Sequence, residues 1–78
     1  MRSFPSIDMK ATGQNIKELR INRGYTVKDL QAYLGLELQA IYKWQRGENL
    51  PSTDHLFALA KLFDVAIEDI LIQANFED

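Results

Sequence analysis

The stretch "TVKDLQAYLGLELQAIYKWQRG", Thr26 to Gly47, decides the fold. It opens on Thr26, whose hydroxyl suits the N-cap of a helix, with Asp29 three residues on as a shorter version of the capping-box acid. Val27, Leu30 and Leu34 make one apolar stripe, and Gly35 then stops the helix after barely two turns, as a left-handed C-terminal glycine does. A second helix is expected from about Leu38 to Arg46, ended by Gly47. Ile41 and Trp44 sit three apart on one of its faces. Burying those two turns Leu38, Gln39, Tyr42, Lys43 and Arg46 outward.

Two short helices joined by a tight glycine turn have the form of a helix-turn-helix. The first helix must end abruptly so that the second can cross it steeply. Leu30, Leu34, Leu36, Ile41 and Trp44 are expected to fill the angle between them and fix the second helix rigidly. A protruding helix about 10–12 Å across fits the major groove of DNA, which is about 12 Å wide.

Outside this unit, Gly, Pro and capping residues divide the chain into three more short helices. The first runs from about Asp8 to Asn22, with Met9, Ile16 and Leu19 on its inner face. Pro51 precedes Ser52 and Thr53, either of which can cap the fourth helix. There Leu56, Leu59, Ala60 and Phe63 give the clearest helical period in the chain. Asp64 tolerates the conformation that ends it, and "AIEDILI" supplies a short fifth helix facing inward with Ile67, Ile70 and Leu71. Alternation at period two bounded by turns is not found, so strands are not expected. The predicted fold class is all-α, a compact bundle of about five short helices forming one domain over residues 1–78, with its core at about 8–72.

Composition narrows the function. A chain of 78 residues without cysteine has neither a disulfide framework nor a thiolate metal site, so its 46% hydrophobic content must supply the core. The longest apolar run, "LFALA" (Leu56–Ala60), is far short of a membrane span, and "MRSFPSIDMK" resembles no signal-peptide core. A cytoplasmic protein with no membrane partner is expected. His55 stands alone, so no metal cluster, cofactor or enzymatic activity is expected. The net charge of −2 hides a split. Residues 1–47 carry eight Lys/Arg against four acids, and residues 48–78 carry Lys61 alone against seven acids. One half is therefore suited to an anionic partner. Chance alone can also divide charge unevenly in a small domain.

The ordered signatures "IKELRINRGYT", "DLQAYLGL", "AIYKWQRG", "LPS" and "HLFALAKLFDVAIEDIL" resemble the Cro/phage-repressor (xenobiotic response element) family of DNA-binding domains. The resemblance covers about Gly13 to Leu71, roughly three quarters of the chain. It implies a lambda-repressor-like fold in which the second helix of the motif enters the major groove and the first braces the phosphate backbone. Leu38, Gln39, Tyr42 and Lys43 match the family's base-edge readers. Gln39 can bond adenine bidentately, Lys43 can reach guanine or a phosphate, and Leu38 and Tyr42 can meet thymine methyls or sugar. Thr26, Lys28 and Arg46 match backbone-phosphate contacts, aided by the helix dipole behind Thr26. Against these stand plain alternatives: solvated lysines at Lys28 and Lys43, and Tyr42 packed on a neighbouring helix.

The sequence also departs from the family pattern. Val27 replaces a backbone-bracing glutamine, Gln31 a small residue at the close approach of the two helices, and Glu37 the usual Ser or Thr cap of the recognition helix. The family's arginine–acid tether becomes Arg20 with Gln45, a charged–neutral pair. The implied function is that of a small transcriptional regulator, most simply a repressor. One such module covers only about 600–1,000 Å² of DNA, so a homodimer on a pseudo-palindromic operator is expected. The alternative is an antitoxin or interaction module holding a protein partner with its acidic C-terminal end, "AIEDILIQANFED". Ile72 and Phe76 there read equally as a dimer surface or a frayed tail.

Overall fold

The structure, a computed structural model, describes residues 5–74. Five helices follow one another: α1 (Met9–Asn22), α2 (Val27–Leu34), α3 (Leu38–Gln45), α4 (Thr53–Phe63) and α5 (Ile67–Ile70). Their ends are set by local chemistry. Asp8 Oδ1 accepts from Ala11 N at 2.9 Å and starts α1. Thr26 Oγ1 accepts from Asp29 N at 3.0 Å while the Asp29 carboxylate accepts from Thr26 N at 2.8 Å, a complete capping box for α2. Ser52, rather than Thr53, caps α4 by accepting from His55 N. Gly35 (φ 69°) ends α2, and Asp64 (φ 58°) ends α4 in the left-handed region. A short carboxylate side chain tolerates that region better than most.

The core gathers one stripe from each helix: Ile16, Val27, Leu30, Ile41, Trp44, Leu59, Ala60, Phe63 and Ile70. Leu19, Leu34, Leu36, Leu38, Leu56 and Ile67 pack around it, partly buried. Tyr25 adds its ring to that of Phe63, 6.4 Å between centroids. Fully burying each of the large aliphatics contributes about 1.5–3 kcal/mol.

The first helix differs from its expected inner face. Met9 is 37% exposed, and the inward row is Thr12, Gly13 and Ile16. The reason is a close backbone approach. A Cβ on Gly13 would lie 2.1 Å from the Trp44 carbonyl oxygen, so only glycine lets α1 lie against the end of α3. Gly47, at φ 77°, also lies close on the Lys10 backbone, where a Cβ would come within 2.7 Å of the Lys10 α-carbon. With backbones this near, Met9 is lifted to the rim.

Side chains of three residues close the bundle with long-range hydrogen bonds. Asn15 Nδ2 donates to the carbonyls of Asp69 (2.8 Å) and Ile70 (3.0 Å) at the end of α5. Arg23 Nε donates to Phe63 O at 2.8 Å, at the end of α4. Thr12 Oγ1, wholly buried, accepts from Ile72 N at 2.9 Å. The chain then pairs with its own beginning: Asp8 N donates to Ile72 O at 2.8 Å and Ala74 N to Ser6 O at 2.9 Å, an antiparallel bridge centred on Ile7 and Gln73. Ile72 is thus tied into the body and is not a frayed tail. Phe76 lies outside the described residues.

Candidate nucleic-acid interface

The outer face of α3 is built by its inner one. Ile41 (0% exposed) and Trp44 (5%) are fixed in the core. The His55 ring lies 5.9 Å from Trp44, and its Nδ1 is 2.9 Å from Ser52 Oγ, so the cap of α4 also braces the indole. On a 3.6-residue period this leaves Gln39, Tyr42 and Lys43 exposed on one side. Tyr42 is 43% exposed, and its ring borders an open trough instead of packing into the core. Leu38 differs from its neighbours: it is half-buried and packs against the hydrophobic cluster. Of the four base-reading candidates, it has the least surface to offer.

The structure brings Arg46 to the edge of this surface and gives it a partner. Its Nε donates to Glu48 Oε2, both side chains being about half exposed. That hydrogen bond, and behind it the Glu48 charge, hold the Arg46 guanidinium above its usual range. Glu48 is held below the usual carboxylate range by its bond from Arg46, then by the charges of Arg46 and Lys43. Thr26 and Lys28 are both exposed at the start of α2. The Thr26 oxygen already accepts from Asp29 N, which leaves its hydroxyl hydrogen to donate outward.

The departures from the family pattern have visible consequences. Val27 is buried in the core, so the start of α2 has no polar side chain there to reach out as a glutamine would. Glu37 stands at the N-cap of α3 but makes no capping hydrogen bond with its side chain. Gln31 is half-buried. Arg20 Nε donates to Gln45 Oε1 at 3.1 Å, the expected tether between α1 and α3, and Arg20 Nη1 donates to Tyr25 O at 2.8 Å.

Residues 16–70 match the helix-turn-helix family model. The chain belongs to the helix-turn-helix family, and within it to the Cro/phage-repressor type. This helix-turn-helix chain is 37% identical over 62 residues to the uncharacterised HTH-type transcriptional regulator MJ0272 of Methanocaldococcus jannaschii, covering 80% of this chain and 94% of that one. Among solved structures it is similar to the restriction-modification controller protein C.AhdI of Aeromonas hydrophila (25% identity, TM-score 0.72, 81% of this chain and 96% of that one). It is also similar to SinR, a master regulator for biofilm formation solved in complex with DNA (27% identity, TM-score 0.67, 76% of this chain and 98% of that one). Other curated relatives are much longer: the chain spans 19% of the length of TK0539 of Thermococcus kodakarensis, to which it is 31% identical over 61 residues.

Sequence reasoning missed three features of this helix-turn-helix surface. Glu48 was not expected to hold Arg46, though a two-residue separation past a glycine turn allows it. Lys10 and Lys17 border the trough between α1 and α3. Their spacing with Gln14, at i, i+4 and i+7, is the signal that places all three on one face of α1. Beyond the expected Arg20–Gln45 tether, Arg20 donates to Tyr25 O and Arg23 to Phe63 O, so part of the basic charge of the first half is spent inside the fold. Among the described residues no group of three or more His, Cys, Asp or Glu is placed to hold a metal ion, and no helix is long and apolar enough to cross a membrane.

Proposed function

We propose that this chain is a small, non-enzymatic transcriptional regulator that binds double-stranded DNA sequence-specifically with α3 in the major groove and represses by occupying its operator. The carrying observation is the division of α3: Ile41 and Trp44 are locked in the core, while Gln39, Tyr42 and Lys43 stand free on the outer side. A rigid helix with an exposed polar row is what base-edge readout requires. The naming of MJ0272 as a transcriptional regulator and the SinR complex with DNA support the reading. Gln39 and Lys43 read base edges, Tyr42 and the exposed margin of Leu38 meet sugar or thymine methyls, and Thr26, Lys28 and Arg46 hold phosphates. Residues 1–78 act as one binding domain, in the cytoplasm. Because one module covers too little DNA for high specificity, two copies bind a pseudo-palindromic site with half-sites about 34 Å apart.

The test is a titration of random and selected duplexes across salt concentrations. Affinity should fall steeply with salt, and selection from a random pool should enrich an inverted repeat. Gln39→Ala should then relax preference at particular base pairs by about 1–3 kcal/mol each. A uniform loss over all sequences removes Gln39 from the readers, and absence of any duplex binding at low salt ends the proposal.

A further inference from the structure

The trough between α1 and α3 lies beside the outer face of α3, sharing Tyr42 with it, and its chemistry is specific. One part is bordered by Asp8, Lys10, Ala11, Gln14, Gln45 and Arg46; the other adds Lys17, Arg20, Val27 and Tyr42 to Gln14, Gln45 and Arg46. The two parts share Gln14, Gln45 and Arg46 and so run into one another along the length of α1. Lys10 and Lys17 are both exposed. The acids nearby are already engaged: Asp8 caps α1, Glu18 accepts from Gln14 Nε2 at 3.2 Å, and Glu48 pairs with Arg46. Carboxamides line the middle, cations stand at intervals, and the exposed ring of Tyr42 makes part of one wall.

The geometry points to this trough as the seat of one sugar–phosphate strand of the bound duplex, with Lys10 and Lys17 as phosphate contacts on α1. The inference rests on the DNA-binding reading and deepens it. Packed helices lie about 8–10 Å apart axis to axis. With α3 in a major groove about 12 Å wide, a helix at that distance lies over the strand that bounds the groove. Tyr42 belongs to both surfaces, facing the groove from α3 and forming part of the trough wall. At 1.5 Å rise per residue, Lys10 and Lys17 stand about 10 Å apart along α1, enough to hold different phosphates. The glycine contacts keep the spacing fixed. Gly13 lies on the Trp44 and Gln45 carbonyls and Gly47 on the Lys10 backbone, so α1 and α3 dock as one rigid body. Gln14 and Gln45 then offer neutral donors between the cations.

The experiment measures the affinity of the full chain for two unrelated short duplexes over a range of salt. The variants are Lys10→Gln, Lys17→Gln, the double variant, and Lys61→Gln, whose lysine stands instead over the Phe57 ring on α4. Each lost phosphate contact should flatten the log–log salt slope by about 0.9, so the double variant should lose about 1.8. Both duplexes should weaken alike, and Lys61→Gln should leave the slope as it is. An unchanged slope in the double variant, with unchanged proteins otherwise binding well, overturns the strand seat and leaves the regulator reading standing. A loss confined to one duplex also overturns it, because phosphates carry no sequence. If the unaltered chain binds neither duplex at low salt, both readings fall together.

Discussion

Arg46 lies just beyond α3 with its guanidinium already given to Glu48, so a phosphate that approaches must compete with a carboxylate. Lys43 adds to the field that keeps Glu48 ionised. Glu48→Gln should therefore raise affinity for any duplex, by about two- to five-fold given the small worth of exposed ion pairs, and should leave base preference unchanged. Fluorescence anisotropy on two duplexes reads both effects. The pH dependence has a definite sign. Glu48 titrates below the usual carboxylate range, so the pair is intact at neutral pH and is lost only as pH falls through that lowered value. Its contribution to folding fades in the same direction, while Arg46 becomes free for phosphate. The glutamine variant should lack this acid-side change. At this scale the sequence was only half legible. Helical periodicity places Gln39, Tyr42 and Lys43 outward, and the family resemblance, not periodicity, implies the pairing of Arg20 with Gln45, a contact the structure contains. It cannot say that Arg46 turns to Glu48, because that choice depends on the turn at Gly47. Leu38 shows a similar limit: the period turns it outward, and packing against the core leaves it half-buried instead.

Helices were legible where their ends are written locally. Thr26 with Asp29, Gly35, Ser52 and Asp64 each act through neighbours a few residues away, and all four sit where the pattern puts them. What a single helix cannot reveal is how near another one comes. Gly13 lies within α1, where alanine would raise helix propensity by about 1 kcal/mol. The contact with the Trp44 and Gln45 carbonyls reverses that expectation. Gly13→Ala should destabilise the fold by about 1–3 kcal/mol net, lowering the melting midpoint by several degrees in a domain of this size. A rise in the midpoint would mean that α1 and α3 are not in backbone contact. The same closeness explains why Met9, apolar and correctly spaced, is nonetheless at the rim.

The bundle as a whole is closed by polar groups more than its hydrophobic pattern suggests. Thr12, Asn15 and Arg23 are polar residues that pattern reading assigns to a surface, and each bonds backbone some 40 to 60 residues away. Their partners are the ends of α4 and α5 and the bridged segment beyond, groups that have no sequence signature of their own. Thr12→Val keeps the shape and removes the acceptor for Ile72 N, so it should cost about 1–3 kcal/mol. Amide exchange at Ile72 and Ala74 should speed up markedly, and exchange within α2 and α3 should change least. Protection that is equal throughout would show that the closure is not a separate unit.

The bridge between Ser6 and Ala74 also sets how the chain can be re-cut. The two ends of the described chain are held by hydrogen bonds of 2.8 and 2.9 Å, so a short peptide could join them and new ends could be opened elsewhere. Circular permutation is tolerated at exposed turns, and Gly24 lies in one, with open space around its α-carbon. A molecule opened there would begin with the recognition unit and finish with α1, while keeping every helix of the bundle intact.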